Sequence, residues 1–100
     1  MTDPADVRVA LLARLAQVVD PETGVDVLRM RLVEDLTVDE HGFVRYRFRP
    51  SSPFCPLAVP LALAIHNAVA EVEGVSGQQA EVVGYVKADE VTAMLRGLEE

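Results

Sequence analysis

Apolar residues near the start of the chain recur every three or four positions, as they do on one face of a helix. They are Val7, Leu11, Leu15 and Val18. Asp3 and Pro4 before them are typical of a helix start, and Pro21 disfavours helical backbone at the residue that precedes it. The pattern therefore predicts an amphipathic helix over residues 4–19 and a turn over residues 20–24.

Two later stretches alternate between apolar and polar residues, which is typical of half-buried strands. Between them lies a loop of three residues, 40–42, in which Gly42 suits a left-handed backbone. This loop length predicts a hairpin and fixes which residues face each other. The predicted pairs are Asp39 with Phe43, Val38 with Val44, Thr37 with Arg45, Leu36 with Tyr46 and Asp35 with Arg47.

The polar face of that hairpin carries three arginines, Arg45, Arg47 and Arg49. Without partners they would form an anion-binding stripe. The predicted register instead puts Asp35 and Asp39 within reach of them, and opposite charges on facing strands stabilise a hairpin. We favour this ion-pair interpretation.

A second helix is expected over residues 57–73, with its regular part beginning near residues 57–59 because Pro60 is tolerated only in the first turn. This helix is apolar almost all round. We therefore expect it to be covered on both sides, with the second cover coming from another subunit or a client protein.

A strand near residues 79–86 and a short helix from about residue 89 complete the pattern. The order is helix, strand, strand, helix, strand, helix. It predicts an α+β fold, a small two-layer sandwich with a three-stranded sheet, in a single domain over residues 1–100.

The 100 residues carry a formal net charge of −7, which argues against a nucleic-acid or anionic-membrane partner. The longest apolar run, residues 57–65, is far shorter than the roughly 20 residues of a membrane helix. The first residues are acidic, so no signal peptide is expected. One cysteine forms no internal disulfide, and we expect a cytoplasmic protein.

The lone cysteine, Cys55, lies between Pro53 and Pro56, where a strand gives way to a helix. Unpaired N–H groups and the dipole at a helix start favour a thiolate, the form that binds metals and attacks electrophiles. Free cysteines are also common as small buried hydrophobic residues, so both interpretations stay open at this point.

Catalytic machinery is sparse, and we expect no enzymatic activity. The chain has no glycine-rich phosphate loop, nucleophile elbow or paired metal-ligand motif. His66 follows Cys55 by 11 residues, roughly 16 Å along a helix, which is too far for a general base. One thiolate is also too few for an iron–sulfur or zinc site, which takes about four ligands, although a symmetric dimer would supply two thiolates.

Asp20 and Glu22 lie in the turn after the first helix and are candidate ligands for a hard metal ion, or part of a partner surface. Alternatively, Asp20 closes the first helix and Glu22 is simply solvated. Spacing alone favours the second interpretation.

Four motifs spread over almost the whole chain point to a known family. They are residues 19–24 (Val-Asp-Pro-Glu-Thr-Gly), 32–33 (Leu-Val), 55–57 (Cys-Pro-Leu) and 73–75 (Glu-Gly-Val). On these motifs the chain resembles the iron–sulfur cluster assembly family that includes SufT-type proteins, PaaD-like proteins and the eukaryotic cytosolic cluster-targeting factor. The resemblance implies an α+β domain that helps assemble iron–sulfur clusters or delivers them to apo-proteins, through protein contacts and an exposed, reactive cysteine.

Carried over by position, the resemblance makes Cys55 the thiolate that contacts a cluster or metal. Asp20 and Glu22 become the neighbouring acidic surface. Ser51 and Ser52 stand where the family usually carries threonine, and a hydroxyl there would hydrogen-bond near the sulfur.

The chain departs from the family at Arg31 and Phe54, which replace glycines, and at residues 85–88, which replace a tryptophan-containing segment. We expect a divergent, non-enzymatic assembly or delivery factor that forms a homo-oligomer and binds client apo-proteins or other assembly proteins. A transient cluster would be shared between subunits or with a client. The alternative is an adaptor or accessory subunit of a metabolic enzyme complex, in which Cys55 is merely packed.

Overall fold

The computed structural model describes residues 3–99. Residues 1, 2 and 100 of the predicted domain lie outside the described residues. The described part folds into three helices and a three-stranded sheet in the predicted order, which confirms the α+β fold. The elements are α1 (Pro4–Leu15), β1 (Val33–Val38), β2 (Phe43–Phe48), α2 (Ala58–Glu71), β3 (Gly77–Val82) and α3 (Ala88–Glu99).

The sheet has the order β1-β2-β3, with β1 antiparallel and β3 parallel to β2. Every second residue of β2 and β3 is buried, so one face of the sheet forms the core with α1 and α2, and the other face is polar. Helix α3 follows the outer edge of β3, where the Val82 N–H donates to Thr92 Oγ1 at 3.0 Å. This bond satisfies a donor of the edge strand that has no strand neighbour.

The hairpin register is right near its loop and wrong further away. Thr37 pairs with Arg45 and Val38 with Val44, as predicted, and Gly42 is left-handed with φ of 81°. Beyond them the register shifts at a β-bulge, so that Arg47 faces Glu34 rather than Asp35. The predicted backbone pair Asp35–Arg47 is therefore wrong, and Leu36 does not face Tyr46 alone, because Asp35 shares that position. The reason is that residues 35 and 36 together oppose one residue of β2, which a strict alternation excludes.

The arginines on the polar face are ion-paired, which confirms the interpretation favoured above. The pairs are Arg45–Asp39 at 3.9 Å, Arg47–Asp35 at 3.5 Å, Arg47–Glu81 at 3.6 Å and Arg49–Glu34 at 2.8 Å. The hydrogen bond from Arg49 holds the pKa of Glu34 below its ordinary value. This face therefore carries balanced charges rather than a free anion site.

The first helix ends at Leu15, four residues before the predicted end at residue 19. The chain leaves the helix because Val18 and Val19 form a short extended pair with residues 26–27 instead. The Val27 N–H donates to the Val18 carbonyl at 2.9 Å, and Val19 bridges Asp26. These bonds bring together the two ends of the turn that contains Asp20.

Helix α2 begins within the predicted window, and Pro60 is its third residue, where no intrahelical N–H bond is lost. The helix ends two residues before residue 73. The expected second apolar face is largely covered within the chain, because Val59 and Leu63 pack against the core and the exposed positions of α2 are small or polar. They are Pro60, Ala64, Asn67, Ala70 and Glu71.

The last strand begins and ends earlier than residues 79–86, since the chain turns at Gly84 and α3 begins at Ala88. In α3, Val91 and Leu95 are buried in the core, while Met94 and Leu98 are exposed.

Candidate functional site

Cys55 lies in the irregular segment between β2 and α2, at the end of the sheet where β2 and β3 finish. Its carbonyl accepts from the N–H of Ala58, the first residue of α2, at 3.3 Å, and its own N–H donates to the Ser52 carbonyl at 3.2 Å. The predicted position just before the first turn of the helix is thus confirmed.

The Cys55 side chain is buried, with an exposed fraction of 5%, and belongs to the apolar core. The expectation of an exposed sulfur is therefore wrong for this conformation, since the side chain points inward from the helix start. Residues 51–54 and Pro56, on either side of Cys55, are all exposed.

The two serines have different roles in this segment. The Ser51 hydroxyl lies 3.9 Å from Cys55 Sγ and donates to it, so the expected hydroxyl beside the sulfur is present. Ser52 Oγ instead accepts from the Phe54 N–H at 3.1 Å. Ser51 therefore contacts the sulfur, and Ser52 shapes the loop that covers it.

The acidic turn is organised by Asp20, whose side chain is buried. Its Oδ1 accepts from the Glu22 N–H at 2.8 Å, and its carbonyl accepts from the Gly24 N–H at 2.8 Å. Asp20 does not close α1, which ends five residues earlier, so that part of the alternative interpretation is wrong. The other part is confirmed, because the turn that Asp20 shapes leaves Glu22 exposed to solvent. No hydrogen bond joins Asp20 or Glu22 to Cys55 within residues 3–99.

Backbone bonds hold the start of the Cys55 segment between two neighbours. On one side the Arg49 N–H donates to the Leu32 carbonyl at 2.7 Å. On the other, the Val86 N–H donates to the Pro53 carbonyl at 2.8 Å. Leu32 and Val86 therefore both lie at the end of the sheet that carries Cys55.

Arg31 occupies the neighbouring strand extension and has a left-handed backbone with φ of 59°. This conformation costs a residue with a Cβ roughly 1–2 kcal/mol and costs glycine nothing. This backbone conformation is a physical reason for glycine at this position, which the family resemblance led us to expect in place of Arg31.

Sequence reasoning missed the environment of His66. Its side chain has an exposed fraction of 8%, and neither ring nitrogen has a hydrogen-bond partner in the part of the chain that is described. Its carbonyl accepts from Gln78 Nε2 at 2.9 Å, and Gln78 Oε1 accepts from the Tyr46 hydroxyl at 3.0 Å. The expectation that α2 is apolar almost all round was a signal of this burial, but it gave no sign that the ring nitrogens would lack partners.

A single chain offers few ligands for a metal or cluster. Between residues 3 and 99, no group of three or more histidine, cysteine, aspartate or glutamate side chains is placed to hold a metal ion. Cys55 supplies one thiolate, whereas clusters take about four ligands. The donor set of one chain therefore fits a cluster only as part of a shared site.

Comparison with known proteins identifies the family. Residues 8–82 match the iron–sulfur cluster assembly proteins, and the chain belongs to that family. It is 34% identical over 73 residues to the Fe-S protein maturation auxiliary factor YitW of Bacillus subtilis, covering 73% of this chain and 72% of the relative. It is 32% identical over 86 residues to an uncharacterized protein of Methanocaldococcus jannaschii, covering 86% of this chain and 90% of that protein.

A solved structure has the same fold. The crystal structure of a domain of unknown function, DUF59, from Bacillus anthracis superposes with a TM-score of 0.72 at 26% sequence identity. The match covers 95% of this chain and 92% of that chain. None of the helices described within residues 3–99 has the length and apolar character that a membrane span requires.

Proposed function

We propose that this chain is a non-enzymatic iron–sulfur maturation factor that acts through protein contacts, with Cys55 supplying one thiolate to a cluster in transit. Membership of the assembly family and similarity to a named maturation factor support the general role. The observation that carries the specific role is the position of Cys55, buried beneath a loop whose own residues are exposed.

Cys55 reaches a cluster only when that loop opens. The cover over the sulfur is fastened mainly by local bonds, from Phe54 to Ser52 and from Cys55 to Ser52, with one longer-range bond from Val86 to Pro53. Segments with few long-range bonds and exposed side chains open at a lower free energy than the whole domain unfolds. Burial in the resting state then protects the thiol from oxidation, since oxidation requires access to the sulfur.

The remaining cluster ligands come from outside the chain, from a second copy or from a client apo-protein. In this proposal Glu22, exposed on the turn that Asp20 shapes, forms the acidic part of the contact surface.

The test is anaerobic reconstitution with iron and sulfide, followed by transfer to an apo iron–sulfur enzyme. We expect cluster absorbance and client activation from the wild type, and loss of both in Cys55→Ser and Cys55→Ala. The matched control is Cys55→Ala combined with Ser76→Cys, which restores a thiol at an exposed position elsewhere. Equal signals from wild type and Cys55→Ala, with both chains folded, would exclude the role of the thiol.

The burial of Cys55 itself favours a second candidate function, an adaptor that contacts clients and never binds the cluster. In that case Cys55→Ala activates the client as well as the wild type does. Glu22→Gln separates the contact surface from the thiol, because a client that binds this turn would lose affinity whether or not Cys55 is present.

A further inference from the structure

An apolar patch lies on the loop that covers Cys55. The exposed fractions are 76% for Phe54 and 61% for Val86. The bond from the Val86 N–H to the Pro53 carbonyl at 2.8 Å brings the two segments together. We name Pro53, Phe54 and Val86 the Phe54 patch. Large apolar side chains exposed together are typical of an interaction surface.

Unpaired charges lie next to this patch. Lys87, Asp89 and Glu90 form no ion pair with any described residue, whereas the arginines of the polar sheet face are paired. They line a shallow cleft of about 390 Å³ together with Tyr85, Val86 and Ala88. One positive charge is thus followed within three residues by two negative charges, all free to pair across an interface.

We propose that a second copy of this chain docks on the Phe54 patch, and this inference rests on the proposed function. In a two-fold interface the same surface of both copies meets. If one residue of the first copy contacts a second residue of its partner, that second residue of the first copy contacts the first residue of the partner. The sequence of charges suits that requirement, because Lys87 of one copy is opposite in charge to Asp89 and Glu90 of the other.

The same arrangement addresses the shortage of ligands in one chain. Phe54 immediately precedes Cys55, so a two-fold interface at the patch brings two Cys55 loops together. When the two loops open within the dimer, two thiolates become available to one cluster, where a single chain provides one. The site is incomplete without the second copy.

The test measures the oligomeric state of the full chain by sedimentation over a wide concentration range. We expect a concentration-dependent dimer that Phe54→Ser and Val86→Ser each weaken by about tenfold or more, as buried contacts at the centre of an interface do. The matched control is Val9→Ser, which removes an equally exposed valine, 68%, on α1 and should leave the dimer unchanged.

A charge exchange tests the pairing. Lys87→Glu alone should weaken the dimer, as should Asp89→Lys with Glu90→Lys, and mixing the two variants should restore association as a heterodimer. A chain that stays monomeric at every concentration overturns the proposal, as does a dimer indifferent to the patch variants. A monomer that binds a client through the patch also overturns it.

Cluster transfer measured on the same variants separates this inference from the proposed function. If Phe54→Ser weakens the dimer while Cys55→Ala leaves cluster transfer unchanged, the interface is supported and the proposed function is refuted. If Cys55→Ala abolishes cluster transfer in a chain that is monomeric at every concentration, the proposed function is supported and the interface is refuted.

Discussion

Replacement of His66 by leucine should stabilise the protein, although most substitutions in a core destabilise. The ring is buried, and both of its nitrogens lack a partner among residues 3–99. A neutral imidazole has one N–H donor and one acceptor, and burial takes both away from water. Leucine has no polar atom to leave unsatisfied.

The size of the effect follows from three contributions. Removing an unsatisfied buried polar group is worth about 1–3 kcal/mol. The higher helix propensity of leucine at a position inside α2 adds a few tenths. The difference in shape between the two side chains costs up to about 1.5 kcal/mol. We therefore expect His66→Leu to raise the free energy of unfolding by about 1 kcal/mol, which corresponds to roughly 4–8 °C in Tm.

Urea unfolding followed by circular dichroism measures this change. The control is Asn67→Leu, which alters the exposed neighbour on the same helix and should change stability by no more than about 0.5 kcal/mol. If His66→Leu lowers the free energy of unfolding by 1 kcal/mol or more relative to wild type, the ring has partners and the reasoning is refuted.

Three further predictions concern the loops. Gly42→Ala should lower the free energy of unfolding by more than about 1 kcal/mol, because the new Cβ meets the Gly74 carbonyl and φ is positive. Gly97→Ala should raise it by up to about 1 kcal/mol, because the space around this helical glycine of α3 is open. Matched urea unfolding curves check both signs. Hydrogen bonds from backbone N–H groups hold the pKa of Asp39 below its ordinary value of 3.8, so its contribution is present above that value and is lost as pH falls through its folded pKa. The gap in urea midpoint between wild type and Asp39→Ala should accordingly shrink below pH 3.8, and a gap that widens would contradict this sign. Asp20→Ala should cost about 1–2 kcal/mol and Asp20→Asn less, because asparagine keeps the acceptor for the turn; thermal unfolding that ranks them the other way would count against it.

The sheet shows how far periodicity reaches. Alternation and a glycine loop placed Thr37 opposite Arg45 and Val38 opposite Val44. The bulge before them could not be predicted, because residues 35 and 36 carry no turn residue that marks an extra position. Asp35 adopts φ of 53° there for reasons of sheet geometry that arise only when the strands pair.

The end of the first helix shows a similar limit. Pro21 set an upper bound on its length, but the pairing of Val18 with Val27 ended it earlier. That bond joins residues nine positions apart, and the spacing of apolar residues along a helix cannot predict it. Tertiary pairing outweighed the local preference of residues 16–19.

The position of Cys55 along the chain was predicted correctly, and its depth was predicted wrongly. Motif and helix-start signals placed Cys55 just before α2, where it lies. Whether a side chain at that place points inward depends on the packing of the core, which also decided the burial of His66 and Asp20. Sequence patterns give the element and the face of a residue, but a connecting segment has no period from which a face could be derived.

The most direct measurement of the central claim is the rate at which a thiol reagent labels Cys55 across low urea concentrations. We expect slow labelling in the folded protein at a rate nearly independent of urea, because opening the loop exposes little surface, followed by acceleration only near global unfolding. Labelling that depends on urea as steeply as global unfolding at every concentration would show that the sulfur is reached only by complete unfolding, and would contradict a role for Cys55 in cluster transfer.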